Sequence, residues 1–134
     1  MTSNVDSTKP RTFNPEGVWA PPPTYSQVAV TPLLPSSRLI TLAGMTGCDP
    51  ARSDNPRTVQ EQAPIAYENI RQALAAAGAT PRDIVQVKHY IVKETGNAEV
   101  DRLDVVDRDT VVGVASLAKS DILYECEVWA IVNQ

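Results

Sequence analysis

The sequence predicts an α+β fold in which a single long helix covers one face of a small sheet. Three observations carry this. Several short stretches alternate apolar and polar residues or are rich in β-branched side chains, as strands are. One stretch, residues 58–77, repeats its apolar residues at helical spacing. The order strand, strand, helix, strand, short helix, strand, strand is not a regular βα repeat, so the elements segregate as in α+β proteins. At 134 residues the chain has the size of one domain. Residues 1–12 read as a flexible tail and 13–134 as a single domain, without repeats or low-complexity segments.

The elements follow in order. Ala20-Pro21-Pro22-Pro23 excludes helix and central strand and forms a rigid lead-in. Residues 24–30, TYSQVAV, follow it. Residues 38–45, RLITLAGM, are a strand in which Leu39, Thr41, Ala43 and Met45 share one face and Ile40, Leu42 and Gly44 the other. A glycine inside a strand marks either a bulge or a close approach to the backbone, and Gly44 fits both readings. Residues 47–57 are a polar loop. Thr58 with Glu61 three residues on is a capping-box pattern. Ala66, Ile70, Leu74 and Ala77 form the buried stripe of the helix, with Glu68, Arg71 and Gln72 turned away. Pro64 fits the first helical turn if the helix starts a few residues after Thr58. Gly78 ends it.

Residues 84–92, IVQVKHYIV, are a third strand. Val85, Val87, His89 and Ile91 share one face; Ile84, Gln86, Lys88, Tyr90 and Val92 share the other. A histidine in an aliphatic row reads first as a satisfied core or interface residue. Asn97 caps a short second helix over residues 97–103, followed by an acidic connection holding Asp101, Asp104, Asp107 and Asp109. Residues 110–115 and 122–132 are then two buried strands joined by a turn at 118–121. The last strand places Tyr124, Cys126, Val128, Ala130 and Val132 on one face. Leu123, Glu125, Glu127, Trp129 and Ile131 lie on the other. Two carboxylates in an otherwise apolar row are either solvated on a wet face or held in a functional cleft. Apolar residues on both faces of the strands at 84–92 and 122–132 predict cover on both sides, and self-association supplies it.

Composition excludes several classes of function. The net charge is −4 and the basic residues are dispersed, so no nucleic-acid groove or anionic-membrane patch is expected. No apolar run approaches the roughly 20 residues of a membrane span. The start of the chain has no hydrophobic core of a secretory signal, so the expected location is cytoplasmic. The single histidine and the two cysteines, Cys48 and Cys126, are too scattered for a zinc site and are expected to stay reduced. No phosphate loop or Ser–His–Asp set is visible, and no cofactor is expected.

The motifs resemble the Rid/YjgF family, whose members hydrolyse reactive enamines and imines. Val114-Ala115-Ser116-Leu117 followed by Glu125-Cys126-Glu127 looks like that family's ending. Thr24-Tyr25-Ser26-Gln27, the strand reaching Gly44, and the helix running Tyr67-Glu68-Asn69-Ile70 to Ala77-Gly78 look like its earlier motifs. The resemblance spans residues 13–132. It implies a chorismate-mutase-like fold, with a mixed sheet covered by the long helix and the short second helix. It further implies a homotrimer with clefts between subunits, a small-molecule metabolite as ligand, and no metal. Tyr25, Ser26 and Gly44 then meet Glu127 at a cleft, with Glu127 as the general acid–base group. The alternative for Tyr25 is a core cap with its hydroxyl in water.

The sequence departs from the family at one position. The deaminases of the family carry a substrate-binding arginine five residues before the position of Val114. Here that position is Asp109. Arg108 is one residue earlier, and a one-residue shift in a strand turns a side chain to the opposite face. Arg108 serves only if a bulge or loop re-aims it. Two readings remain: an imine or enamine hydrolase of a specialised pathway, or a trimer that binds a small ligand or regulates without turnover. A third, protein contact through the acidic stretch 101–109, needs neither Glu127 nor Tyr25.

Overall fold

The computed structural model describes residues 10–19, 26–92 and 110–133. The expected short helix at 97–103, and Tyr25, Arg108 and Asp109, lie outside the described residues. Two strands, β1 (Arg11–Phe13) and β2 (Val28–Val30), pair antiparallel as a separate ribbon. β1 thus begins just ahead of the expected domain start. The main sheet holds β3 (Ser37–Thr41), β4 (Met45–Thr46), β5 (Ile84–Val92), β6 (Thr110–Val114) and β7 (Tyr124–Asn133). The order is β3-β7-β5-β6, with β4 also on β7. The sheet is mixed: β5 and β6 are parallel, and all pairs with β7 are antiparallel.

One helix, α1 (Val59–Ala76), packs on this sheet. The Thr58 Oγ1 accepts a hydrogen bond from the Glu61 amide at 3.2 Å, the expected cap. Gly78, at φ 82°, closes the other end. There the Ala79 amide donates to the Leu74 carbonyl and the Gly78 amide to the Ala75 carbonyl, a Schellman closure. Pro64 does not fall in the first turn. It lies inside the helix, because the Thr58 cap fixes the start at Val59. Ala63, Ala66, Ile70 and Leu74 press on Tyr124, Cys126, Val128, Ala130 and Val132 of β7 to form the core.

Buried Gln62 fastens the helix start to the entry of β7. Its Nε2 donates to the carbonyls of Pro56 (2.7 Å) and Asp121 (2.8 Å), and its Oε1 accepts from the Leu123 amide at 2.9 Å. Every polar atom of the buried amide is thereby used. Asn69 Nδ2 likewise donates to the Thr46 and Cys48 carbonyls and holds the segment after β4 to the helix.

Three further expectations change. The strand expected at 38–45 is broken in two. Thr41 faces Trp129 and Met45 faces Cys126, so three residues on this side span two on β7. The extra residue acts as a bulge and reverses the alternation, turning Met45 onto the core with Leu42 and Ile40. A second irregularity between Ile84 and Gln86 does the same to Ile84, which pairs with Ala130 and joins the core side. Finally, β6 is not buried. It is a sheet edge beyond the reach of α1, with Val111 and Val112 exposed.

Candidate functional site

The face of the sheet away from α1 carries the chemistry. On the antiparallel β5–β7 ladder, Gln86 stands opposite Trp129, Lys88 opposite Glu127, and Tyr90 opposite Glu125. β6 sets Thr110 beside Lys88 and Val112 beside Tyr90. β4 sets Thr46 opposite Glu125. Glu125, Glu127, Lys88 and Tyr90 are all half-buried. Directly opposed and diagonal side chains on one sheet face are within reach of each other. Here the diagonal is used: the Tyr90 hydroxyl donates to Glu127 Oε2 at 3.3 Å. The ionisation of Tyr90 is pushed above its ordinary value, first by partial burial and then by the negative charge of Glu127 and of Glu125. The group holds two carboxylates, one phenol and one ammonium. Such a set can accept a proton, donate one, and hold either end of a small dipolar molecule.

Gly44 belongs to this group, through Glu125. A methyl group at Gly44 would lie 2.5 Å from Glu125 Cδ and 2.7 Å from its Oε1. The carboxylate of Glu125 therefore lies over the bare backbone of Gly44, a close approach that any side chain would obstruct. Both readings of Gly44 hold at once: it sits in the bulged segment and it admits a neighbour. Ser26 is placed elsewhere. It lines an open groove of about 1260 Å³ between the β1–β2 ribbon and the main sheet, together with Gln86, Thr110 and Ile131. Glu127, Glu125 and Gly44 do not line that groove. Within one chain the structure places Glu125 against Gly44, with Glu127 two residues on along β7, and leaves Ser26 in the separate groove.

Lys88 and Tyr90 were not among the sequence candidates. The strand pattern gave their face, but only the register between β5 and β7 shows that this is also the glutamate face. His89 lies on the other side, buried at 2% exposure. Its Nδ1 is hydrogen-bonded to the Tyr124 hydroxyl, which also contacts the Tyr67 hydroxyl at 3.3 Å. It is a satisfied core residue. The described residues contain no group of three or more His, Cys, Asp or Glu able to hold a metal ion. No helix among them is long and apolar enough to cross a membrane.

A sequence-family model described as endoribonuclease L-PSP matches residues 19–132. No curated protein sequence matches. Among solved structures, YyfB from Yersinia pestis, described as a protein of unknown function of the conserved Rid protein family, superposes with a TM-score of 0.69 at 24% identity, covering 92% of this chain and 99% of that one. Rv2704 of Mycobacterium tuberculosis, a YjgF-family protein, gives a TM-score of 0.52 at 25% identity over 70% and 79% of the two chains. TdcF of E. coli, solved with bound serine, gives 0.58 at 21% identity over 78% and 91%.

Proposed function

This chain belongs to the endoribonuclease L-PSP family, whose solved relatives carry the names Rid and YjgF, and on that premise we propose that it hydrolyses the C=N bond of a small imine or enamine metabolite. The single observation that supports this best is the half-buried pair Glu125 and Glu127 on an otherwise apolar strand face, with a phenol and an ammonium beside them. In the proposed reaction Glu127 takes a proton from water as the oxygen adds to the imine carbon. The same carboxyl delivers that proton to the nitrogen, giving a carbinolamine. It then takes the hydroxyl proton and passes it to the nitrogen as the carbon–nitrogen bond breaks, and ammonia and a carbonyl compound leave. An enamine enters the same path after protonation at carbon gives its imine tautomer. No redox partner is needed.

The reaction site takes shape in a homotrimer. Trp129 at 40% exposure and Leu39 at 58% lie on the same sheet face as Glu127, and a second copy covers such surface at low cost. Neighbouring subunits then bring Tyr25 and Ser26 to Glu127 and Gly44. Arg108 and Asp109 lead directly into β6, whose first residue, Thr110, pairs with Lys88. As the resemblance implies, the two are assigned to substrate binding. Serine in the E. coli relative supports an amino-acid-sized ligand. RNA is disfavoured by the net charge of −4 and by the paired carboxylates.

The test is ammonia release from freshly generated 2-aminoacrylate, with and without the protein. Acceleration that is lost in Glu127→Ala while the assembly persists supports the hydrolase. No acceleration from a folded trimer shifts the reading to the alternative, a trimer that binds a small ligand without turnover.

A further inference from the structure

We propose that Tyr90 is a positioning residue for Glu127, holding one oxygen of its carboxylate so that the other faces the reacting water. The inference rests on the reading of Glu127 as the acid–base group. It is carried by geometry. The Tyr90 hydroxyl donates to Glu127 Oε2 across the strand diagonal at 3.3 Å. Tyr90 stands directly opposite Glu125, and Glu127 stands opposite Lys88. A glutamate on an open sheet face has three rotatable bonds, and a free carboxylate there samples several orientations. One hydrogen bond from a rigid ring on the next strand removes much of that freedom. The bond engages Oε2, and Oε1 is the oxygen assigned to the reacting water.

The arrangement has a definite chemical consequence. A phenol whose proton is committed to one carboxylate oxygen fixes the direction from which Glu127 attacks a proton. Other charged groups facing Tyr90 are Glu125 on β7 and Lys88 on β5, while β6 contributes uncharged Thr110 and Val112. Glu125 packs its carboxylate over Gly44, and the hydrogen bond of Tyr90 is made to Glu127 instead. Glu127 is left as the acceptor.

Two measurements decide the matter. In the first, phenolate absorbance is titrated in the wild type, in Tyr90→Phe and in Glu127→Gln. The difference between wild type and Tyr90→Phe isolates the Tyr90 transition. It lies above the ordinary tyrosine value and moves down in Glu127→Gln, because the negative charge of Glu127 is removed while burial remains. A Tyr90 transition at the same pH in both backgrounds would overturn the contact. In the second, Tyr90→Phe keeps the ring and removes only the hydroxyl, so the strand stays packed. Release of ammonia from 2-aminoacrylate then falls roughly ten- to a hundredfold in kcat with KM little changed. An unchanged kcat, or a loss confined to KM, would overturn the positioning role. If even the wild type releases no ammonia, the hydrolase reading fails, and the titration alone still decides whether Tyr90 holds Glu127.

Discussion

Gly44 and Gly47 lie three residues apart and are constrained by different things. The missing side chain of Gly44 admits the end of a glutamate. That of Gly47 admits backbone: a methyl there would lie 2.4 Å from the Gln62 carbonyl oxygen and 2.7 Å from its Cα. A side chain can swing away, whereas the first turns of α1 cannot move without losing the Gln62 hydrogen bonds. Gly47→Ala is therefore expected to destabilise the protein by about 1–3 kcal/mol, measured by denaturant unfolding. Gly44→Ala is expected to unfold at nearly the wild-type denaturant concentration yet to lose activity, because Glu125 is turned out of place. Equal stability losses in the two variants would contradict the distinction. At this scale the sequence was partly legible. It singled out Gly44 and Glu127, and the oddness of two glutamates in an apolar row. It did not single out Gln62, since nothing about a glutamine in a helix announces that all of its polar atoms are buried and partnered. Nor did it give Tyr90 and Lys88 as partners of Glu127, since a strand register is a property of two segments together.

Among the elements, α1 and β7 were the most readable, each for a periodic reason. β7 buries every second residue from Tyr124 to Val132, and α1 buries Ala63, Ala66, Ile70 and Leu74 along one stripe. Leu74 is fully buried, and truncation leaves a cavity walled by β7. Leu74→Ala should cost about 2–5 kcal/mol, read as a lower midpoint in thermal or denaturant unfolding. A cost below about 1 kcal/mol would mean that α1 is not seated on β7 as described. The strand at 38–45 was less readable because alternation is a local rule and a bulge resets it. One extra residue moved Met45 from the face of Leu39 to the core. The same event at Val85 moved Ile84. Edge position was equally hidden: β6 has the composition of a buried strand, but its exposure follows from lying beyond the helix.

For the molecule as a whole, the open sheet face and the buried Tyr124 make separate predictions. Trp129 is 40% exposed on the glutamate face. If copies cover that face, Trp129→Arg should convert the assembly to monomers in sedimentation while leaving the fold intact by circular dichroism. An unchanged trimer would mean that the contacts lie elsewhere. The second prediction concerns alkaline pH. Tyr124 has no exposed surface, and burial, followed by its hydrogen bond to Tyr67, pushes its ionisation far above the ordinary 10.0. The folded state therefore binds a proton that the unfolded chain releases near pH 10. This contribution is fully present below that pH and is lost as the pH climbs further. Unfolding free energy should hold up to about pH 10 and decline beyond it. Tyr124→Phe should blunt the decline while lowering stability at neutral pH. A flat profile in the wild type would contradict the buried phenol.

The position of β7 in the chain also bears on biosynthesis. It lies at the centre of the sheet and pairs with β3, β4 and β5, yet it follows all three in sequence. A growing chain on the ribosome therefore exposes the pairing edges of β3 and β5 before the strand that satisfies them exists. Unpaired edges are templates for wrong partners. Nascent chains stalled before residue 124 should accordingly be held open by chaperones and be digested readily by protease, and resistance should appear abruptly once β7 has cleared the exit tunnel.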